Sequence, residues 1–172
     1  TKIIDTPDAN LKNIDITVEE KATGEVLVGA GVGSDGGTAQ FSISENNFLG
    51  KGIKLSTGLR VSEERLRGNF TVTNPNFNYS DKSLSTDIFI TDTDKLNDSG
   101  YKSTNAGFSF GTAFEQYDDF FFRPTFRTVY EELTTNSSAS KNLKKQEGSY
   151  FTTDVGYTFD LDKRNQRFQT TD

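Results

Sequence analysis

The feature that most limits how this chain can fold is its period of two. Between Glu25 and Asp160, apolar and polar residues alternate one by one, and no stretch sustains the three-to-four-residue recurrence of a helix. In the first segment Val26, Val28, Ala30 and Val32 share one face, with Gly29, Gly31 and Gly33 on the other; in the second, Ala39, Phe41 and Ile43 oppose Gln40, Ser42 and Ser44. Six further segments alternate in the same way, over 53–61, 66–73, 84–90, 105–110, 120–128 and 151–160. The pattern predicts an all-β chain of eight consecutive antiparallel strands, each paired to the next. Pro124 has no N–H to give to a ladder and predicts a bulge or irregularity there.

Alternation is shared by soluble sandwiches and membrane barrels, but three features favour a barrel. The segments run to about 9–11 residues, the length of a tilted strand that crosses a bilayer. Their apolar faces are free of charge, whereas Lys54, Arg60, Arg67, Asp87, Arg123, Arg127 and Asp154 all fall on the polar faces, as a wet lumen tolerates. The links also alternate in kind. "SDGG", "SEER", "TDTDKLNDSGYKS" and "EELTTNSSASKNLKKQEGS" grow long and polar, while "NNFLGKG", "NPNFNYSDKS" and "FEQYDD" stay compact and carry Phe48, Phe77, Tyr79, Phe114 and Tyr117. Long outer loops, short periplasmic turns and aromatic girdles are the habit of outer-membrane barrels, and Tyr101, Tyr130 and Tyr150 are placed in the outer girdle. The competing arrangement is a soluble β-sandwich with the apolar face inward.

Other chemistries suggested by short motifs fail on context. Gly31, Gly33 and Gly36 spell G-x-G-x-x-G, but the residues that follow alternate as a strand and open no helix to hold a pyrophosphate, so 34–36 read as a hairpin link. Asp92, Asp94, Asn97 and Asp98 crowd one loop without the spacing of a calcium site. Lys141, Lys144 and Lys145 form a small basic cluster that suits lipopolysaccharide phosphates or simple solvation, and Asp118–Asp119 read as turn residues. The chain of 172 residues has no Cys and no His and a net charge of -6, which argues against thiol chemistry, His-based catalysis and a nucleic-acid footprint. No catalytic residue, metal ligand or cofactor site is expected. Both ends read as cut, so the chain is taken as a fragment.

The run "IDITVEEKATGEVLVGAGVGSDGGTAQFSISENNFLGKG" resembles the junction in BamA-type outer-membrane assembly factors, where the last POTRA strand leads into the first barrel hairpin. The matching elements are Glu19-Glu20 at the acidic strand end, the Thr23-Gly24 linker, the glycine-alternating first strand and the Asn47-Phe48-Leu49-Gly50-x-Gly52 turn. "TNPNF" is similar to the family's second periplasmic turn, and "DKRNQRFQTT" to a later one, with Thr170 where the family usually has Pro.

The resemblance implies the end of a POTRA domain and a linker over 1–23, followed over 24–172 by the N-terminal part of a transmembrane barrel of 16 strands. It implies insertion of β-barrel proteins into the bacterial outer membrane without a cofactor, with the N-terminal segment periplasmic. Implied partners are unfolded outer-membrane proteins, outer-membrane lipid and accessory lipoproteins. A secretion pore of the same superfamily and a passive porin are the alternatives; which branch applies stays open. The expected site is the backbone edge of the first barrel strand: Glu25, Val26, Leu27, Val28, Gly29, Ala30, Gly31, Val32 and Gly33. Glycine weakens a strand, and a loosely held edge presents free N–H and C=O groups onto which another chain can add a strand. The resemblance implies a lateral gate at this seam. The bland reading of the same glycines is that they make room for close packing inside the barrel.

Overall fold

A computed structural model describes residues 2–5, 11–33 and 36–164. Strands β1 (Lys2–Asp5) and β2 (Lys12–Asp15) form an antiparallel pair of their own, with Ile3 opposite Ile14. Glu19-Glu20, expected at the end of a strand, lie instead in the non-strand segment after β2.

The remaining strands make one antiparallel sheet in strict chain order: β3 (Gly24–Gly33), β4 (Gly36–Phe48), β5 (Ile53–Ser62), β6 (Arg65–Asn74), β7 (Ser83–Lys95), β8 (Tyr101–Tyr117), β9 (Phe120–Thr135) and β10 (Gly148–Leu161). All eight expected strands are present, and the only helices among the described residues are a 3-10 turn at Phe77–Tyr79 and the single turn α1 (Lys141–Lys144). A sandwich needs a second sheet to bury the apolar face; these strands supply none, and the buried apolar side chains among the described residues are Val129 and Ala139 alone. The sheet stands without a core of its own.

The register carries each face across the whole sheet. One row reads Ser44, Ser56, Thr71, Asp87, Ser109, Arg127, Asp154; the next, on the other face, reads Ile43, Thr57, Phe70, Ile88, Phe108, Thr128, Thr153. On the polar face the Thr71 hydroxyl donates to the Asp87 carboxylate at 2.6 Å, and the Arg127 guanidinium lies 4.9 Å from the centre of the Phe89 ring. Gly107 sits beside that ring because nothing larger fits: a Cβ there would meet the Phe89 ring at 2.8 Å and the Thr128 carbonyl at 2.4 Å. On the apolar face aromatic rings tie the later strands, with Phe122 and Phe159 stacked at 4.9 Å and Phe110 and Phe126 at 5.0 Å.

Strands β7 to β10 are longer than expected, at 13, 17, 16 and 14 residues. Residues 91–95 and 101–103, read from sequence as loop, are strand, with 91–95 paired to 101–105, so only 96–100 turn. These extensions put Asp92, Asp94, Lys102 and Glu132 on the same face as Phe108, and Glu45 falls on it at the opposite end. The charge-free apolar face is therefore a belt with charged margins. Along β9 it runs from Phe120 to Tyr130, about 34 Å of strand, which a tilt of roughly 40° turns into about 26 Å of height, matching the apolar band of an outer-membrane barrel. Where both faces are wet, hydrogen bonding continues but the alternation that marks a strand in the sequence disappears.

The outer girdle needs revision. Tyr130 lies on the apolar face, 5.4 Å from the Phe151 ring, but Tyr101 and Tyr150 fall in register with Thr135 and Glu131 on the polar face. At Pro124 the β8–β9 ladder lapses between the pairs Gly111–Thr125 and Phe114–Phe122 without shifting register; the bulge itself lies between Glu115 and Tyr117.

The turns at the aromatic end are built by Asn side chains and left-handed backbone. In the Asn47-to-Gly52 turn, Asn47 Oδ1 accepts the Gly52 N–H at 2.7 Å, and Leu49, Gly50 and Gly52 all have positive φ. In the next, Asn74 Oδ1 accepts the Asn76 N–H and Phe77 N–H donates to the Lys82 carbonyl at 2.7 Å. Asp118 and Asp119 form the third, Asp119 with a φ of 62°. At the other end, the links after β7 and β9 dock on each other: Asn136 N–H donates to the Gly100 carbonyl at 2.8 Å, and its side chain to the Leu96 carbonyl at 2.9 Å. Of the sequence-read turns, Ser34 and Asp35 and residues 165–171 of "DKRNQRFQTT" lie outside the described residues.

Candidate functional site

The nine candidate residues, Glu25 to Gly33, all fall within β3, and every one pairs with β4, from Glu25 opposite Ser44 to Gly33 opposite Gly36. The ladder runs without a register shift up to the last pair, Gly33 with Gly36. The start of the strand is clamped. The Thr23 carbonyl accepts both the backbone and the side-chain N–H of Asn46, at 3.1 and 3.2 Å, and the Thr23 hydroxyl donates to the Glu45 carboxylate.

Above that clamp the strand is held by its ladder to β4 and by small side chains. β3 is at one edge of the sheet, so along its far side the alternate N–H and C=O groups have no ladder partner among the described residues. Its apolar side contributes only Val26, Val28, Ala30 and Val32 and no ring, whereas the other edge strand, β10, is tied to β9 by Phe151 against Tyr130 and by Phe159 against both Phe120 and Phe122. Its polar side is bare at the glycines. A Cβ at Gly31 would meet nothing closer than the Thr38 hydroxyl at 3.7 Å, and one at Gly33 would meet nothing within 4 Å; of the three only Gly29 has a close neighbour, the Gln40 side chain, with Nε2 at 3.0 Å and Cγ at 3.1 Å. Packing inside the described chain therefore does not require glycine at Gly31 or Gly33. What such a strand offers chemically is a row of backbone donors and acceptors with open space beside it.

The rival constellations separate in space. Asp92 and Asp94 are strand residues: Asp92 accepts from the Thr104 hydroxyl at 2.6 Å and from Lys102 at 3.4 Å, and Asp94 accepts the Leu96 N–H. Asp98 belongs to a different cluster, with Glu64 and Lys95. Lys95 lies 2.9 Å from Glu64, and its hydrogen bond, followed by one from Asp98, holds the Glu64 carboxyl below its ordinary range. The Asp98 carboxyl is raised by that hydrogen bond and by the negative charge of Glu64. Lys141 and Lys144 both belong to α1, and Lys144 donates to the Ser137 carbonyl.

Sequence reading missed one arrangement beside β3. Arg60 of β5 and Arg67 of β6 face each other directly in the ladder. The signal was available: a hairpin that turns at Glu63 and Glu64 sets Arg60 opposite Arg67, but the tip must be located before the pair is seen.

A single eight-stranded meander with a charge-free belt, a polar opposite face and a glycine-bearing edge strand is thus in place. The Omp85 superfamily domain matches residues 47–172, well over half the chain. The chain belongs to the Omp85 superfamily. It is also similar in fold to a crystal structure of BamA from Haemophilus ducreyi lacking POTRA domains 1–3, with a TM-score of 0.62 at 21% identity, over 89% of this chain. The chain spans about a third, 32%, of the length of that structure. No curated protein sequence matches it. Omp85 membership makes the sheet part of an outer-membrane barrel, of a family that works without enzymatic chemistry. The belt containing Ile43, Phe70, Ile88, Phe108 and Phe122 is its lipid face, and the face containing Lys54, Arg67, Asp87, Arg123 and Asp154 lines its lumen.

Proposed function

We propose that this chain is the N-terminal part of a 16-stranded Omp85 barrel that folds and inserts other β-barrel proteins into the outer membrane, with the β3 edge receiving the client strand. Residues 1–23 are the end of a POTRA domain and its linker, and lie in the periplasm. The observation that carries the reading is the contrast between the two edges: β10 is fastened by aromatic rings, while β3 is held by a clamp at its start and by small side chains above it. Strand addition needs an edge whose hydrogen-bonding groups become available and whose own packing does not oppose opening. Partners on this reading are unfolded outer-membrane proteins, the surrounding lipid and accessory lipoproteins on the periplasmic side.

The experiment is reconstitution of the full-length protein into lipid vesicles, followed by addition of a urea-denatured porin and measurement of its folding by protease resistance. Folding faster than in empty vesicles is the expected result. Folding at the empty-vesicle rate, together with passage of an unfolded polypeptide or of small solutes into the vesicles, would make the barrel a secretion pore or a porin instead.

A further inference from the structure

The lumen face beside β3 holds a concentration of positive charge that the assembly reading does not use. Arg60 and Arg67 are direct cross-strand partners, and Arg65 lies one lumen-facing position further along β6. These three side chains, with Thr38 of β4 and Ser62 of β5, line a recess of about 120 Å³. Like charges placed directly opposite each other destabilise a sheet, and among the described residues no carboxylate lies within ion-pair distance of Arg60 or Arg67. Some other charges on the same face do have partners: Asp87 accepts from the Thr71 hydroxyl, Arg123 is paired with Asp160, and Arg127 lies on Phe89.

The recess opens towards the glycines. Thr38 and Arg60 also line the shallow depression formed by 29–33 of β3; a Cβ on Gly33 would meet nothing within 4 Å, and one on Gly31 only the Thr38 hydroxyl at 3.7 Å. Gln40 lines the same depression and covers Gly29, so an incoming group can approach Arg60 over Gly31 and Gly33, past the Gln40 and Thr38 side chains. Guanidinium groups offer planar forks of N–H donors matched to carboxylate and phosphate oxygens, and the Thr38 and Ser62 hydroxyls add further donors.

We propose that Arg60, Arg65 and Arg67, with Thr38 and Ser62, form an oxyanion-binding subsite on the lumen wall, taking a carboxylate or phosphate group. The bound anion neutralises the Arg60–Arg67 pair and fastens β5 and β6 beside the loosely held first hairpin. Two sources carry this chemistry: the side-chain carboxylate of a polypeptide segment lying in the lumen over the glycine face, or free phosphate.

The test uses the full-length protein in detergent and reads the heat-induced loss of the folded, fast-migrating form on unboiled gels. Sodium phosphate is compared with sodium chloride at equal ionic strength, and a Glu-containing peptide with its Gln counterpart. A ligand that binds only the folded barrel raises the midpoint, and above its dissociation constant the gain in stability grows with the logarithm of ligand concentration. Wild type is expected to shift upward with phosphate or with the Glu peptide, and R60Q/R67Q to lose the shift, with apparent affinity falling about tenfold or more for the loss of charge-assisted hydrogen bonds. A phosphate response identifies a free anion, and a response to the Glu but not the Gln peptide identifies a polypeptide carboxylate; either supports the subsite. R60Q alone is expected to raise the midpoint without added anion, because it relieves the repulsion. No Arg-dependent response to either ligand, or a fall in the R60Q midpoint, would overturn the proposal. Client folding does not enter the measurement, so the result stands apart from that of the vesicle assay.

Discussion

At the scale of the residue, what matters is the face on which a side chain falls. Phe70 and Asn69 are neighbours in β6 on opposite faces of the barrel wall. Arg in place of Phe70 puts a charge into the lipid belt at a cost of about 2–4 kcal/mol near the midplane, whereas the lumen tolerates one. Phe70→Arg should cut the yield of folded protein in the outer membrane sharply and Asn69→Arg should leave it near wild type; equal yields would contradict the assignment of faces. A second residue-scale prediction concerns Gly107, where any Cβ meets the Thr128 carbonyl at 2.4 Å and Phe89 at 2.8 Å. Gly107→Val should lower the thermal midpoint of the barrel, and Phe89→Ala alone should not rescue it, because the backbone carbonyl stays in place. A third lies in the outer hairpins, where Glu64 is held below its ordinary range by Lys95 and Asp98, and Asp98 is raised by Glu64. The two carboxyls oppose each other in pH dependence. Glu64 contributes order present above its unfolded value and lost as the pH falls through its folded one; Asp98 contributes order present below its unfolded value and lost as the pH rises through its folded one. In Asp98→Asn only the first remains, so amide protection in the 96–100 loop should drop on acidification and show no loss on the alkaline side of the carboxylate range.

At the scale of the element, the strands were legible wherever one face is in lipid and the other in water, because that environment imposes the alternation. Leu84, Thr86, Ile88 and Ile90 announce β7, but Thr91 to Lys95, above the belt, read as loop and are strand. The girdle failed for a related reason: Tyr101 and Tyr150 stand at the outer ends, where sequence gives no parity, and only their pairing with Thr135 and Glu131 shows that they face the lumen. For the candidate site, the position of β3 and its glycine face were readable from "EVLVGAGVG", and the glycines pointed to a loosely held edge; the contrast with β10 was not readable, since it depends on which rings lie across each ladder. The Arg60–Arg67 pair needed a register as well as a pattern. The element-scale prediction follows from the empty space over the glycines. Gly31→Val adds a β-branched side chain where a Cβ has no close neighbour, so β3 should become a better strand. The barrel should resist heating more and fold client proteins more slowly; a more stable barrel with unchanged client folding would detach the glycines from the function.

At the scale of the whole molecule, the sheet has no core and depends on lipid outside, water inside and closure of its edges. Among the described residues the edges belong to β3 and β10, and the central claim is that the first of these works by opening. A disulfide between an introduced Cys at Val28 or Val32 of β3 and one on the final barrel strand of the full-length protein holds that edge shut without altering any other side chain, and this chain contributes no Cys of its own to compete. The decisive measurement is the rate at which the oxidised, locked protein folds denatured porin in vesicles, set against the same protein after reduction. The account predicts that locking abolishes the acceleration and that reduction restores it; a locked barrel that folds porin as fast as the reduced one would show that the β3 edge is not where client strands are received.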